Sequence, residues 1–124
     1  GYAMRLPSRL RLKESRDFAQ MRAQGVSQAG RFLVLAVLRQ EGLPEFKFGI
    51  VTGKRLGSAV VRNRLRRQLR EVVRAHRAEI TSGCHFVIIP RWRAAGAGLT
   101  ELENDWLRLA RRQGLLLKPA PPSP

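Results

Sequence analysis

Lys54-Arg55-Leu56-Gly57-Ser58-Ala59-Val60-Val61-Arg62-Asn63-Arg64-Leu65-Arg66-Arg67-Gln68-Leu69-Arg70-Glu71 says more about this chain than any other stretch of it. Gly57 interrupts what precedes, and Ser58 is a good N-cap, so the spacing predicts a long helix from Ser58 to about Arg77. On a wheel of about 100° per residue, Val61, Leu65, Leu69, Val72 and His76 share an arc of about 80°, the face expected to pack on a sheet. Asn63, Arg66, Arg67, Arg70, Arg74 and Arg77 gather in a separate arc of about 100°, directed away from the core. Between Lys54 and Arg77, nine basic residues stand against the single acid Glu71. Like charges at adjacent turns repel, so this face costs stability unless anions come to it. A helix that is merely soluble mixes signs, with Glu four residues from Lys or Arg, and this one does not. Its near-exclusive use of Arg suits bidentate phosphate contacts and stacking on unpaired bases.

Upstream, Ser15 reads as the N-cap of a short helix with Asp17 in its first turn, Phe18 and Met21 on one face, and Gly25 as its stop. Arg31 to Leu38 is apolar, rich in β-branched residues and too short for a typical helix, so it reads as a buried strand. Glu41-Gly42-Leu43-Pro44 is a turn. Phe46, Phe48 and Ile50 then alternate with Lys47 and Gly49 as in a strand with one covered face, expected to pair with the preceding strand as a hairpin. Downstream, Cys84 to Ile89 is continuously apolar, which predicts a central strand covered on both faces and ended by Pro90. Arg91 to Gly98 reads as a mobile Ala- and Gly-rich loop. Thr100 with Glu103 predicts a capping box for a last helix whose buried stripe is Leu102, Trp106, Leu109 and Ala110, ended by Gly114. The expected order is α-β-β-α-β-α, one α+β domain over residues 4–117 with its sheet covered by helices. Gly1-Tyr2-Ala3 reads as a cloning remnant, and Lys118 to Pro124, with four prolines in seven residues, as a disordered tail.

The chain has 124 residues, enough for one core of ordinary size, and the 44% apolar share falls in discrete runs that can build one. Its 24 Lys and Arg against 9 Asp and Glu give a net charge of +15. Such a field opposes compaction and calls for a polyanionic partner: nucleic acid first, an anionic membrane surface second. The longest apolar run, Phe32 to Leu38, is far short of the roughly 20 residues a spanning helix needs. A single cysteine, Cys84, can staple nothing internally, and no signal segment opens the chain, so a cytoplasmic location is expected.

Other chemistries fit poorly. Gly53-Lys54 is not a phosphate-binding loop, because position 48 is Phe and position 55 is Arg. His76, Cys84 and His85 are too few for zinc, and adjacent residues on a strand point to opposite faces, so they read as structural. The carboxylates Glu14, Asp17, Glu41, Glu45, Glu71, Glu79, Glu101, Glu103 and Asp105 are spread over turns, caps and exposed positions, with no cluster for two-metal hydrolysis.

The opening stretch, with its Arg62-Asn63-Arg64 triplet at fixed spacing from Gly57 and Ala59-Val60, resembles the RNR signature of the protein subunits of bacterial ribonuclease P. The resemblance extends to Arg11-Leu12-Lys13 and Asp17-Phe18 upstream, to Phe48-Gly49-Ile50 before the motif, and to the last strand and helix. It covers roughly Leu10 to Gly114. It implies an α+β fold with a left-handed βαβ crossover, against the general right-handed preference. It also implies partnership with a catalytic RNA bound through Lys54, Arg55, Arg62, Asn63, Arg64, Arg66, Arg67, Arg70 and Arg74. A cleft between first helix and sheet, with Phe18, Arg16 and Arg22, would take the single-stranded 5′ leader of precursor tRNA. Arg22 and Ala36 stand where relatives can carry aromatic rings, so leader binding here is expected to lean on charge more than on stacking. No catalytic residue or metal site is expected in the protein; magnesium would enter through the RNA. A ribosomal-type structural RNA binder is the alternative that composition alone leaves open, and the RNR signature is what separates the two.

Overall fold

The structure is a computed structural model that describes residues 5–117. The proposed cloning remnant and the proline-rich tail lie outside the described residues. Seven regular elements follow in order: α1 (Ser15–Gln24), β1 (Val26–Ala29), β2 (Leu33–Arg39), β3 (Phe46–Ile50), α2 (Ala59–Ala75), β4 (Cys84–Pro90) and α3 (Leu99–Arg112). Short 3-10 turns occupy Ser8–Leu10, Lys54–Leu56, Arg77–Glu79 and Trp92–Gly96. This is the expected α+β order with one strand added.

The sheet order is β1-β2-β4-β3. β4 is central, as its unbroken apolar run requires: it runs antiparallel to β2 and parallel to β3. The expected β2–β3 hairpin therefore does not form. The Glu41–Pro44 turn carries the chain past a vacant strand position, which β4 fills after the α2 crossover. β2 pairs on its other side with β1, from Val26↔Val37 to Ala29↔Val34. β1 is short, polar and mostly exposed, so it has no alternation to betray it.

Helices cover both faces of the sheet. On one, Leu65, Leu69, Val72 and Val73 of α2 and Leu102, Trp106, Leu109 and Ala110 of α3 bury against Leu33, Leu35, Phe46, Phe48, Phe86 and Ile88. On the other, Met21 of α1 joins Leu12, Ala36 and Val87, with Phe18 and Leu38 half-buried against them. The apolar arc expected of α2 thus faces the core. Ser58 caps that helix, its Oγ accepting the Val61 N–H at 3.4 Å. Gly57 before it has φ +127°, a conformation that side chains disfavour.

Several helix ends differ from expectation. Glu14, not Ser15, is the N-cap of α1, and Ser15 lies inside the helix. α2 ends at Ala75, with His76 as its C-cap. α3 begins two residues early: Gly98 is its N-cap, and Glu101, not Glu103, accepts the Gly98 N–H at 3.1 Å. Glu103 is used elsewhere, as a partner of His76. Within the segment 91–98, expected as a loop, the 3-10 turn Trp92–Gly96 packs through buried Ala94, with Ala97 buried just after it, small side chains that hid a packing role.

His76 joins α2 to α3. Its Nδ1 lies 2.7 Å from Glu79 Oε2 and its Nε2 2.9 Å from Glu103 Oε2, with the ring beside Trp106. Burial disfavours the charged ring, but the two carboxylates outweigh it and raise the pKa above the ordinary 6.5. The stabilisation is therefore complete below pH 6.5 and is lost as pH rises through the folded-state pKa. Glu103→Gln should move the His76 ring titration to lower pH in an NMR series and flatten the loss of stability with rising pH. An unchanged titration would show that Glu103 does not hold the ring.

Candidate nucleic-acid interface

α2 presents its basic face outward, yet its arginines are not equivalent. At the C-terminal end, Arg74 pairs with Glu71 through Nε at 2.9 Å and through Nη2, and Arg77 reaches Glu45 at 2.9 Å. Glu45 also takes Arg9 at 2.7 Å. The end of the expected arginine arc is thus partly offset within the protein, Arg74 by Glu71 and Arg77 by a Glu45 that it shares with Arg9. Among the described residues Lys54, Arg55, Arg62, Arg66, Arg67 and Arg70 have no carboxylate partner. Arg66 donates to its neighbour Asn63, at 2.9 Å.

Arg64, the second arginine of the triplet, departs from the exposed role expected of it. Its Nη2 donates to the Ala95 carbonyl, and its Nε is buried without a partner. This side chain ties α2 to the 3-10 turn Trp92–Gly96.

Arg70 lies where charge concentrates. Its pKa is lowered, first by burial and then by the positive charges of Arg11 and Arg66. Arg11 and Arg66 thus disfavour the charge on Arg70, and an anion bound beside the three would be stabilising. Arg11 arrives from another part of the chain: it bridges in parallel to Phe48, and Leu12 N–H donates to the Phe48 carbonyl at 2.8 Å. The sequence marks Arg11 only as part of a resemblance, because its approach to α2 is tertiary.

The same arginines border the α1 side of the sheet. A pocket of about 170 Å³ is lined by Arg11, Arg66 and Arg70 together with Leu12, Phe18, Phe48, Gly49 and Ile50. The Phe18 ring rests directly on Gly49, where a Cβ would come within 2.8 Å of Phe18 Cε1. Phe18 is thereby half-buried and held in the wall of the pocket it shares with Arg11, Arg66 and Arg70. Of the other expected cleft residues, Arg16 is highly exposed and pairs with Glu14 at 2.6 Å, and Arg22 is exposed on α1. Ala36 lies in the sheet floor beside Val87.

Glu79 and Glu103 converge on His76 as its hydrogen-bond partners, and among the described residues no three His, Cys, Asp or Glu side chains are arranged to hold a metal ion. No helix among them is long and apolar enough to cross a membrane.

A helix-covered four-stranded sheet with an unneutralised arginine row beside a shallow cleft defines a small α+β protein built to face a polyanion. The sequence model of the Ribonuclease P family matches residues 6–114. The ribonuclease P protein component of Bacillus cereus is 35% identical over 105 residues, 85% of this chain and 91% of that protein. That of Syntrophomonas wolfei is 29% identical over 115 residues, covering 93% and 96%. The RNase P protein of Staphylococcus aureus superposes with a TM-score of 0.80 at 26% identity, covering 86% of this chain and 96% of that one. The Thermotoga maritima protein gives 0.75 at 28% identity, covering 82% and 96%. The chain belongs to the ribonuclease P protein family, whose members are the protein components of a tRNA-processing endoribonuclease.

Proposed function

We propose that the chain binds the catalytic RNA of a bacterial ribonuclease P through Lys54, Arg55 and the open arginines of α2, and takes the 5′ leader of precursor tRNA into the cleft beside Phe18, Arg16 and Arg22. The observation that carries this reading is the Arg11, Arg66 and Arg70 group, gathered on one pocket and without a carboxylate partner among the described residues. It lies between the two surfaces, so one continuous cationic track can serve both RNAs. Magnesium held by the RNA supplies the charge stabilisation that phosphodiester hydrolysis needs. The residues of this chain bind, orient the leader and offset phosphate repulsion, and positioning of that kind can lower a barrier considerably.

The test is reconstitution. Adding the purified protein to a bacterial ribonuclease P RNA at low magnesium should restore cleavage of precursor tRNA, while RNA alone should need more magnesium and protein alone should cut nothing. Cleavage by protein alone, or no stimulation, would overturn the reading. The cleft is tested separately. Phe18→Ala should reduce the affinity advantage of precursor over mature tRNA by roughly 5- to 150-fold, the equivalent of one stacked base. Shortening the leader to one or two nucleotides should do the same. Equal affinities of the unmodified protein for both tRNAs would remove the cleft from the mechanism.

A further inference from the structure

The chain buries nearly all its described aromatic rings: Phe32, Phe46, Phe48, Phe86 and Trp106 are each at most 8% exposed, and Phe18 is half-buried on Gly49. Trp92 breaks this pattern at 68% exposed. A single exposed apolar side chain is ordinary on a protein surface, so what distinguishes Trp92 is how it is held and what lies beside it.

Trp92 is neither on a loose loop nor isolated. It opens the turn Trp92–Gly96, whose Ala94 is fully buried. Just before it, Arg91 N–H donates to the Phe32 carbonyl at 2.8 Å and Arg91 Nη1 to the Gly30 carbonyl at 2.6 Å. Behind it, Arg64 holds the Ala95 carbonyl. The turn packs against α2 and against the Lys54–Leu56 turn, beside the cationic end of the interface. Arg93 places its guanidinium 5.4 Å from the centre of the Trp92 ring, so one face carries a cation while most of the ring stays open.

A fixed, solvent-exposed indole backed by arginine is chemistry that suits an unpaired nucleobase: the base stacks on the ring, and its phosphate meets the guanidinium. An apolar protein partner is disfavoured by the flanking positive charges. The geometry points to Trp92, with Arg93, as a second stacking platform for a single-stranded nucleotide of RNA, separate from the Phe18 cleft. The inference rests on the RNA-binding reading above.

Two tryptophans make the test direct, since Trp106 is fully buried and only Trp92 can meet a base. The full-length protein is titrated with a single-stranded oligoribonucleotide, with ribonuclease P RNA, and with that RNA followed by precursor or leaderless tRNA, reading tryptophan emission. Saturable quenching is expected, absent in W92F, and W92A should bind the quenching RNA about 5- to 150-fold more weakly. Quenching by the catalytic RNA alone assigns the nucleotide to that RNA; quenching only on adding leader-bearing tRNA assigns it to the leader. If salt-sensitive RNA binding is intact but Trp92 emission is unmoved in every arm, or W92A binds all of them normally, the platform is wrong and the RNA-binding reading stands. Failure of all RNA binding would instead defeat both.

Discussion

Raising monovalent salt from 50 to 200 mM should weaken the binding of this protein to ribonuclease P RNA by about 10³- to 10⁵-fold, as expected for roughly 6 to 10 neutralised phosphates. The open cations are enough to account for this: Lys54, Arg55, Arg62, Arg66, Arg67 and Arg70 on and before α2, with Arg11 beside them. Replacing Arg66 and Arg70 together with Ala should remove about two contacts and flatten the log–log salt slope by about 1.8. The fold should survive, because neither side chain belongs to the buried arc and relief of repulsion with Arg11 favours the folded state. Arg77→Ala is the internal contrast. Glu45 already holds that guanidinium at 2.9 Å, shared with Arg9, so its loss should change the slope less. A flat salt dependence, or equal slope changes from Arg70→Ala and Arg77→Ala, would show that the pairing seen within the protein does not decide which arginines meet RNA.

What could be read in the sequence was what depends on neighbours along the chain. The Leu65, Leu69 and Val72 stripe, the Ser58 cap and the double-sided burial of β4 are local patterns, and the structure carries them through. The hairpin was not legible, because Phe46–Ile50 looks the same beside β2 or β4, and only the place β4 takes in the sheet decides. β1 was not legible either: Ser27 and Gln28 form an edge strand by backbone pairing with β2, not by burying a face. Within the site, the basic character of α2 was plain, but its division was not. Glu45 lies 32 residues from Arg77, and Ala95 lies 31 from Arg64, so nothing in a helical wheel separates paired or inward-turned arginines from open ones. Trp92 shows the same limit, for only packing of the turn around Ala94 reveals that the ring stays outside.

Asp105→Ala should cost about 3–5 kcal/mol, much of the stability of a small domain. The sequence reading places this aspartate with the carboxylates of turns, caps and exposed positions, yet it lies on the inner side of α3 and is 1% exposed. Its Oδ2 accepts the N–H groups of Phe32 at 2.8 Å and Leu33 at 2.9 Å, and its Oδ1 accepts that of Arg31 at 3.1 Å. These donors precede and begin β2, so the carboxylate of α3 does for this chain entry what a helix cap does for a helix. Alanine would strand donors that water reaches poorly. Burial raises the pKa of Asp105, but the Phe32 N–H, the Arg108 guanidinium and the other two N–H groups outweigh it, and the pKa falls below 3.8. The contribution is therefore complete above pH 3.8 and is lost as pH falls through the folded-state value. Arg108 is exposed and should matter little: Arg108→Ala is expected to cost less than about 1 kcal/mol. Asp105→Asn keeps one acceptor but aims an NH2 group at a donor, so it should fall between wild type and Ala. Gly30→Ala tests the contact from the opposite side, since a Cβ there would come within 2.6 Å of both carboxylate oxygens. Urea denaturation reads all four variants, and a loss for Asp105→Ala no larger than that for Arg108→Ala would refute the capping role. Where the Asp105 variants remain folded, their salt slope for RNA should match wild type, because no open arginine has been touched. A changed slope would mean that the Gly30 loop, which Arg91 grips at its carbonyl, transmits its position to the cationic face through the Trp92–Gly96 turn.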